Sequence, residues 1–178
     1  MSLKKEFEEN IRENLKKDMG LSSVYAVPNI EKIVINMGLG KVRENKAFIT
    51  ESFEDMTVIT GQKPVKRASK KSISNFKIRK GQLAGVSVTL RGQKMWDFYE
   101  KLVRIVLPRV KDFRGVTKKA FDRNGNYNIG LREHLVFPEI DANKVVHNKP
   151  MQITIKTTAV KDDSAYILLK ALGMPFKD

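Results

Sequence analysis

The sequence predicts an α+β fold: a mainly antiparallel sheet with helices packed on one face. Segments with two-residue hydrophobic alternation interleave with segments whose apolar residues recur every three or four positions. The strand-like segments come in neighbouring pairs, 64–69 with 85–91 and 126–137 with 151–160, which favours hairpin-like pairing over parallel crossovers. No linker, internal repeat or low-complexity tail divides the 178 residues. One domain over 1–178 is therefore expected, long enough to bury a core.

Residues 2–19 read as a helix, with Ser2 as cap, Phe7, Ile11 and Leu15 on one stripe, and Gly20 as stop. Residues 30–37 are β-branched and alternating, a strand broken by Gly38-Leu39-Gly40. A second helix is expected over 43–60, carrying Ile49, Phe53, Met56 and Thr60 on one stripe and ending at Gly61. Gln62-Lys63-Pro64 turns into a short strand at 64–69. Residues 70–84, KKSISNFKIRKGQLA, are expected as a long, partly mobile loop anchored by Ile73, Phe76 and Ile78; loops of this length in compact domains are usually functional. In 85–91, Val86, Val88 and Leu90 face one way and Ser87, Thr89 and Arg91 the other. The strongest helix is 94–107, with Met95, Phe98, Tyr99, Leu102, Val103 and Val106 on a wide apolar face and Pro108 as its end. Residues 109–125 form a second basic loop. The strand 126–137 directs Tyr127, Ile129, Leu131, Leu135 and Phe137 inward, and 151–160 directs Met151, Ile153 and Ile155 inward. The last helix, 163–172, has Asp162 or Asp163 as cap and Ala165, Leu168, Leu169 and Leu172 inward.

If helices cover one sheet face, alternation gives the other: Lys32, Asn36, Ser87, Thr89, Arg91, Gln152, Thr154 and Lys156. These are hydroxyls, amides and cations, with no carboxylate among them. Charge is also unevenly placed. The chain holds 34 Lys and Arg against 20 Asp and Glu, a net +14, and residues 63–123 carry all of it. Residues 63–94 have ten cations and no acid: Lys63, Lys66, Arg67, Lys70, Lys71, Lys77, Arg79, Lys80, Arg91 and Lys94. Residues 104–123 add a further +5. Such a block repels itself unless an anion meets it, so the partner is expected to be polyanionic. The broad donor face beside it favours RNA, whose phosphates and 2′-hydroxyls accept such donors across a shallow minor groove.

Catalytic signals are weak. The absence of cysteine excludes disulfides, thiolate zinc, iron–sulfur clusters and thiol catalysis, and suits a reducing cytosol. No apolar run reaches the length of a membrane span, and the first twenty residues lack the apolar segment of a secretory signal. In Gly38-Leu39-Gly40, Arg43 holds the place of a dinucleotide fingerprint's third glycine, so a tight turn is the better reading. Met56 stands where a phosphate loop ending at Gly61-Gln62-Lys63 needs its first glycine. Ser74 and Lys77 match Ser-x-x-Lys without any accompanying hydrolase motif. His134, expected on the polar strand face, and His147, in the loop before the last strand, lack metal-ligand spacing. Asp162 and Asp163 read as capping residues, and Glu139 and Asp141 flank a strand exit without a basic neighbour in sequence. No enzyme, cofactor, metal or small-molecule substrate is expected. Two rival classes stay open. An RNA-modifying enzyme would show turnover, and a module for acidic protein partners would let a polyanionic peptide compete with RNA.

Five stretches then become recognisable: IEKIVINMGLG (30–40), TGQKPVKRASKKSISNFKIRKGQLAGVSVTLRG (60–92), LPRVKDFRG (107–115), GNYNIGLREHLVFPEI (125–140) and ALGMPF (171–176). Together, in order and in register, they resemble the bacterial form of large-subunit ribosomal protein five. The resemblance implies a cytoplasmic, ribosome-bound protein of the central protuberance whose concave sheet face meets RNA. Its implied partners are 5S rRNA, domain V of 23S rRNA, the elbow of the P-site tRNA and a head protein of the small subunit. By position, Asn36, Gln62 and Thr89 match polar residues that the family uses toward 5S rRNA. Lys32, Lys63, Arg67, Ser87 and Arg91 complete the expected 5S rRNA set. The loop 70–84 matches the segment that reaches the tRNA, with Lys70, Lys71, Asn75, Phe76, Lys77, Arg79 and Lys80 as its candidates. Phe76 is weighed as a loop anchor ahead of a stacking residue. Asn75 stands where the family often has Gly, and Lys80 where it often has an acid, which raises the local positive charge.

Overall fold

The computed structural model describes residues 2–40, 45–141, 145 and 147–177. Five strands, β1 (Ile30–Gly38), β2 (Val65–Ala68), β3 (Leu83–Leu90), β4 (Tyr127–Leu131) and β5 (Met151–Thr157), form one antiparallel sheet in the order β2-β3-β1-β5-β4. The predicted α+β class and both strand pairings hold. The β2–β3 register sets Val65 against Ser87, Lys66 against Val86 and Arg67 against Gly85. The chain clusters into two compact units, one of Met1–Ile33, Leu90–Ile129 and Thr154–Asp178, the other of Val34–Thr89 and Gly130–Ile153.

In the first unit, helix α1 runs as Leu3–Glu6 and Arg12–Asp18 with a π-turn, Phe7–Ile11, between them. The Ser2 side chain makes no capping bond; its carbonyl accepts from Glu6 N instead. Phe7 packs on Trp96 with ring centroids 5.3 Å apart. The long second helix begins as Gly92–Lys101, widens into the π-turn Leu102–Val106, and closes with Leu107–Arg109. Pro108 therefore lies inside the helix rather than ending it. The π-turn before it already shifts the hydrogen-bond ladder, which accommodates a residue with no N–H. The C-terminal helix is Asp162–Ala171. Tyr99, Leu102, Val106, Ile155, Leu168 and Leu169 are fully buried here. The Tyr99 hydroxyl is buried without a partner, and burial pushes its pKa up, so it stays neutral.

The second unit contains the helix Lys46–Thr60, and Ile35, Met37, Val86, Val88 and Ile153 on its strands are nearly sealed from solvent. Asn45 Oδ1 caps the helix, accepting from Phe48 N at 3.2 Å. The expected start at Arg43 and Glu44, like the fingerprint position Arg43, lies outside the described residues. Gly85 allows β3 to approach β1 closely: a Cβ there would stand 2.6 Å from the Met37 carbonyl oxygen.

Two expectations change in this unit. The predicted strand 126–137 ends at Leu131, and His134–Val136 form a 3₁₀ turn. That turn inverts the alternation, so His134 is buried and Leu135 half-buried. His134 Nδ1 accepts from Lys149 N at 3.2 Å, and Nε2 lies 3.4 Å from Asp55 Oδ2. Lys149, 2% exposed, directs its ammonium to Asp55 Oδ2 at 2.6 Å and Glu51 Oε1 at 3.0 Å, over the Phe48 ring. This buried cluster ties His134 and Lys149 to the helix that ends beside Gln62. A buried pair adds little to net stability when intact but costs about 3–5 kcal/mol when one partner is removed.

Burial of Asp55 works to raise its pKa, but the adjoining His134 and Lys149 outweigh it and hold the carboxyl below its ordinary value of 3.8. A depressed folded pKa contributes stability above the unfolded value that is lost as pH falls through the folded one. Asp55→Asn is therefore expected to lower the thermal midpoint at neutral pH, and the gap to wild type to narrow as pH drops below about 4. Thermal denaturation followed across that range checks both statements.

Candidate nucleic-acid interface

In the second unit the candidate residues are assembled by the end of a helix and the β2–β3 register. Gly61, at φ 61°, takes the left-handed turn that ends the helix, and its N–H closes on Thr57 O at 2.8 Å. Thr60 Oγ1 lies 2.7 Å from Met56 O and 3.0 Å from Gln62 O, pinning the chain as it leaves. Gln62 Nε2 then donates to Thr89 O at 3.1 Å, placing two of the three positions carried over from the resemblance side by side. The third, Asn36, is half-buried beside Gly85, where an added Cβ would lie 3.7 Å from its Oδ1. Arg67, which opposes Gly85, donates from Nε to Ser87 Oγ at 2.7 Å. Lys63 and Arg67 are exposed. Ser87 departs from expectation: it is buried, and its hydroxyl is taken by Arg67. Its hydroxyl orients the Arg67 guanidinium.

In the first unit, Lys32, Thr154 and Lys156 are half-buried along β1 and β5, and Arg91 is exposed. Thr154 Oγ1 donates to Asn128 Oδ1 at 2.7 Å, so β4 contributes an amide that the sequence reading did not name. The expectation of a face without carboxylates needs correction. Glu31 Oε2 pairs with Lys156 Nζ at 2.9 Å, and Glu31 Oε1 lies 3.9 Å from Lys32 Nζ. Ile30 and Ile33 are both buried, an odd interval, so the alternation of β1 slips and Glu31 reaches the Lys156 side. The hydrogen bond from Lys156 holds its carboxyl below the usual range.

The loop between β2 and β3 is built rather than irregular. Ser69 N donates to Gln82 O, Gly81 N to Ser69 O, and Ile73 and Ile78 exchange both backbone bonds at 2.9 and 3.0 Å. The Ser72 hydroxyl accepts from Lys80 N at 2.9 Å, and Gln82 Oε1 from Arg79 N at 3.1 Å. At the tip, Ser74–Phe76 form a 3₁₀ turn closed by Lys77 at φ 52°. Lys70, Lys71, Asn75, Lys77, Arg79 and Lys80 are all exposed. Phe76, weighed as an anchor, is instead 68% exposed: the 3₁₀ turn carries its ring outward.

The Glu31 pair makes a test available. Glu31→Gln releases Lys156 and Lys32 from a competing anion, so RNA binding is expected to strengthen and its log–log salt slope to steepen by about 1. Binding isotherms at several salt concentrations check this; a variant with unchanged affinity and slope would place these lysines outside the interface.

Comparison with known proteins gives a consistent result. The family model described as "Ribosomal protein L5" matches residues 23–79, and the model for the C-terminus of the same ribosomal protein family matches residues 83–176. The chain is 50% identical over 175 residues to the large ribosomal subunit protein uL5 of Anaeromyxobacter sp. (strain Fw109-5), covering 98% of this chain and 97% of the relative. It is 51% identical to the uL5 of Acidobacterium capsulatum, covering 98% and 96% of the two chains. To the uL5 of Synechococcus sp. (strain RCC307) it is 47% identical over 178 residues, covering 100% and 99%. With both family models matched in sequence order and the likeness running nearly end to end, the chain belongs to the ribosomal protein L5 family.

Proposed function

We propose that this chain is a non-enzymatic structural protein of the large ribosomal subunit that grips 5S rRNA with the donor-rich faces of its strands. The observation that carries the reading is the company kept by Asn36, Gln62 and Thr89. Gln62 at the helix exit bonds to Thr89 on β3, and Asn36 on β1 stands beside Gly85, the residue that Arg67 opposes, in a chain whose net charge is concentrated in 63–123. Phosphate contacts from the lysines and arginines supply affinity and register. The amides and the threonine hydroxyl meet 2′-hydroxyls and base edges of an A-form minor groove, which tells RNA from DNA. Nothing in this chemistry transforms the RNA.

The β2–β3 loop has a separate role in this reading, reaching the elbow of the P-site tRNA. Its closed backbone fixes the tip in advance of binding, so little entropy is lost on contact. Phe76 supplies a ring for stacking, and Lys70, Lys71, Lys77, Arg79 and Lys80 meet phosphates. Contacts with 23S rRNA and with a head protein of the small subunit complete the set of partners, and no cofactor is involved.

One paired experiment tests the division. Asn36→Ala combined with Thr89→Ala is expected to weaken 5S rRNA binding by about 2–4 kcal/mol, with little effect on an unrelated duplex, because RNA groups desolvated at the interface lose their partners. Deleting residues 73–80 is expected to leave 5S rRNA binding intact. Wild-type 5S affinity in the double variant refutes the face assignment, and loss of 5S binding in the deletion refutes the separate role of the loop.

A further inference from the structure

Residues 122–126 form a tight turn in the first unit, closed by the antiparallel bridge between Phe121 and Tyr127 and by Asp122 N donating to Asn126 O at 3.1 Å. Inside it stands Asn124-Gly125, the one place in the chain where glycine follows asparagine. The glycine is dictated by geometry. It sits at φ 72°, is buried, and a Cβ on it would stand 2.4 Å from Ala159 O. Its carbonyl accepts from Thr157 Oγ1 at 2.7 Å. Asn124, by contrast, is exposed, so water reaches its side-chain amide.

An asparagine before glycine has a reaction of its own. With no Cβ to shield it, the glycine nitrogen can attack the asparagine Cγ. The new N–Cγ bond closes a succinimide ring, the Cγ–Nδ2 bond breaks, and ammonia leaves with the hydrogen that the glycine nitrogen gives up. Water then opens the ring at either carbonyl, leaving aspartate or isoaspartate, with one carboxylate in place of the amide. Only water is consumed.

The turn governs how fast this runs. Gly125 N donates to Asp162 Oδ1 at 2.9 Å, and Arg123 N to Asp162 Oδ2 at 3.1 Å. Asn124 Nδ2 donates to Asp122 O at 3.3 Å. For the ring to close, the glycine nitrogen must shed the hydrogen that Asp162 holds, and the amide must swing away from Asp122. The Asp162 charge also opposes the negative charge that develops on that nitrogen as its proton leaves.

We propose that Asn124 is a self-modification site of this chain, at which succinimide chemistry exchanges the amide for a carboxylate, and that Asp162 is the latch that sets its rate. The product puts an anion close after Asp122, at the end of the cation-rich segment 104–123. The isoaspartyl form also routes the main chain through Cβ, which lengthens a turn that Thr157 and Ala159 hold closely. None of this depends on what the strand face binds.

The full chain is aged in heavy-oxygen water at mildly alkaline pH, native and in denaturant. Each asparagine peptide is then mapped by mass spectrometry, with fragmentation that separates isoaspartate from aspartate. The native protein is expected to gain product at 124 ahead of every other asparagine, and the denatured chain to gain it faster, because the latch is gone. Asp162→Asn keeps the shape of the side chain but offers an acceptor to only one of the two N–H groups. With its thermal midpoint reporting that it is folded, it is expected to deamidate at 124 about tenfold faster than wild type, as loss of one hydrogen bond to a charged acceptor implies. Hydrogen exchange at the Gly125 amide is expected to rise by a like factor. The proposal is overturned if aged native protein carries no product at 124, if another asparagine reacts first, or if the folded Asp162→Asn variant reacts at the wild-type rate. Should that variant unfold, equal rates in the native and denatured wild-type chains overturn the latch in its place.

Discussion

A strand in a sheet has two faces, and helices can cover both or one. In the second unit Ile35 and Met37 on β1, Val86 and Val88 on β3 and Ile153 on β5 are lost to solvent, and in the first unit Ile155 on β5 is. The residues that alternate with them, Asn36 and Thr89 in the second unit and Thr154 and Lys156 in the first, are then committed by the pleat to the opposite side of their own strands. Everything the protein can offer to a large polar partner follows from this division. A one-residue slip of register would send amides into the core and isoleucines into water, so the stability of the fold and the integrity of the interface are enforced by the same pattern.

Backbone details sharpen that surface. Glycine at 85 brings β1 and β3 together beside Asn36, and glycine at 61 swings the chain so that Gln62 meets Thr89. Ser87 gives up exposure to hold Arg67. Deeper down, the Lys149–Asp55–Glu51 cluster with His134 fixes the helix that delivers Gln62. Two of the candidate donors are thus held by named neighbours, Gln62 by the Thr89 carbonyl and Arg67 by the Ser87 hydroxyl. The β2–β3 loop follows the same logic at a smaller scale, since its paired backbone, not burial of its apolar residues, carries Phe76 outward.

Much of this is legible in the sequence, because alternation and charge are local signals. The strands, the hairpin-like pairings, the helix stop at Gly61 and the acid-free cationic block can be read from neighbours within a few residues. The parts that are not legible depend on distance. Lys149 and Asp55 are 94 positions apart, and nothing near either one announces the other. Glu31 comes to the open side through a slip in alternation between Ile30 and Ile33 that periodicity alone smooths over. Alternation misplaces His134 because a 3₁₀ turn interrupts an apparently continuous alternating run. Apolar character argues for burial of Phe76, whereas a short turn with Lys77 in the left-handed region decides where the ring goes.

The central claim is that positioned donors and concentrated cations hold a folded RNA without altering it. The most direct measurement is equilibrium binding of the full chain to 5S rRNA and to an unrelated duplex of equal length at two ionic strengths. The account predicts that both affinities fall steeply with salt, by ~0.9 log units per decade for each phosphate met, while 5S rRNA keeps its advantage at both strengths. Affinity that ignores salt, or an unrelated duplex held as tightly as 5S rRNA, would contradict it.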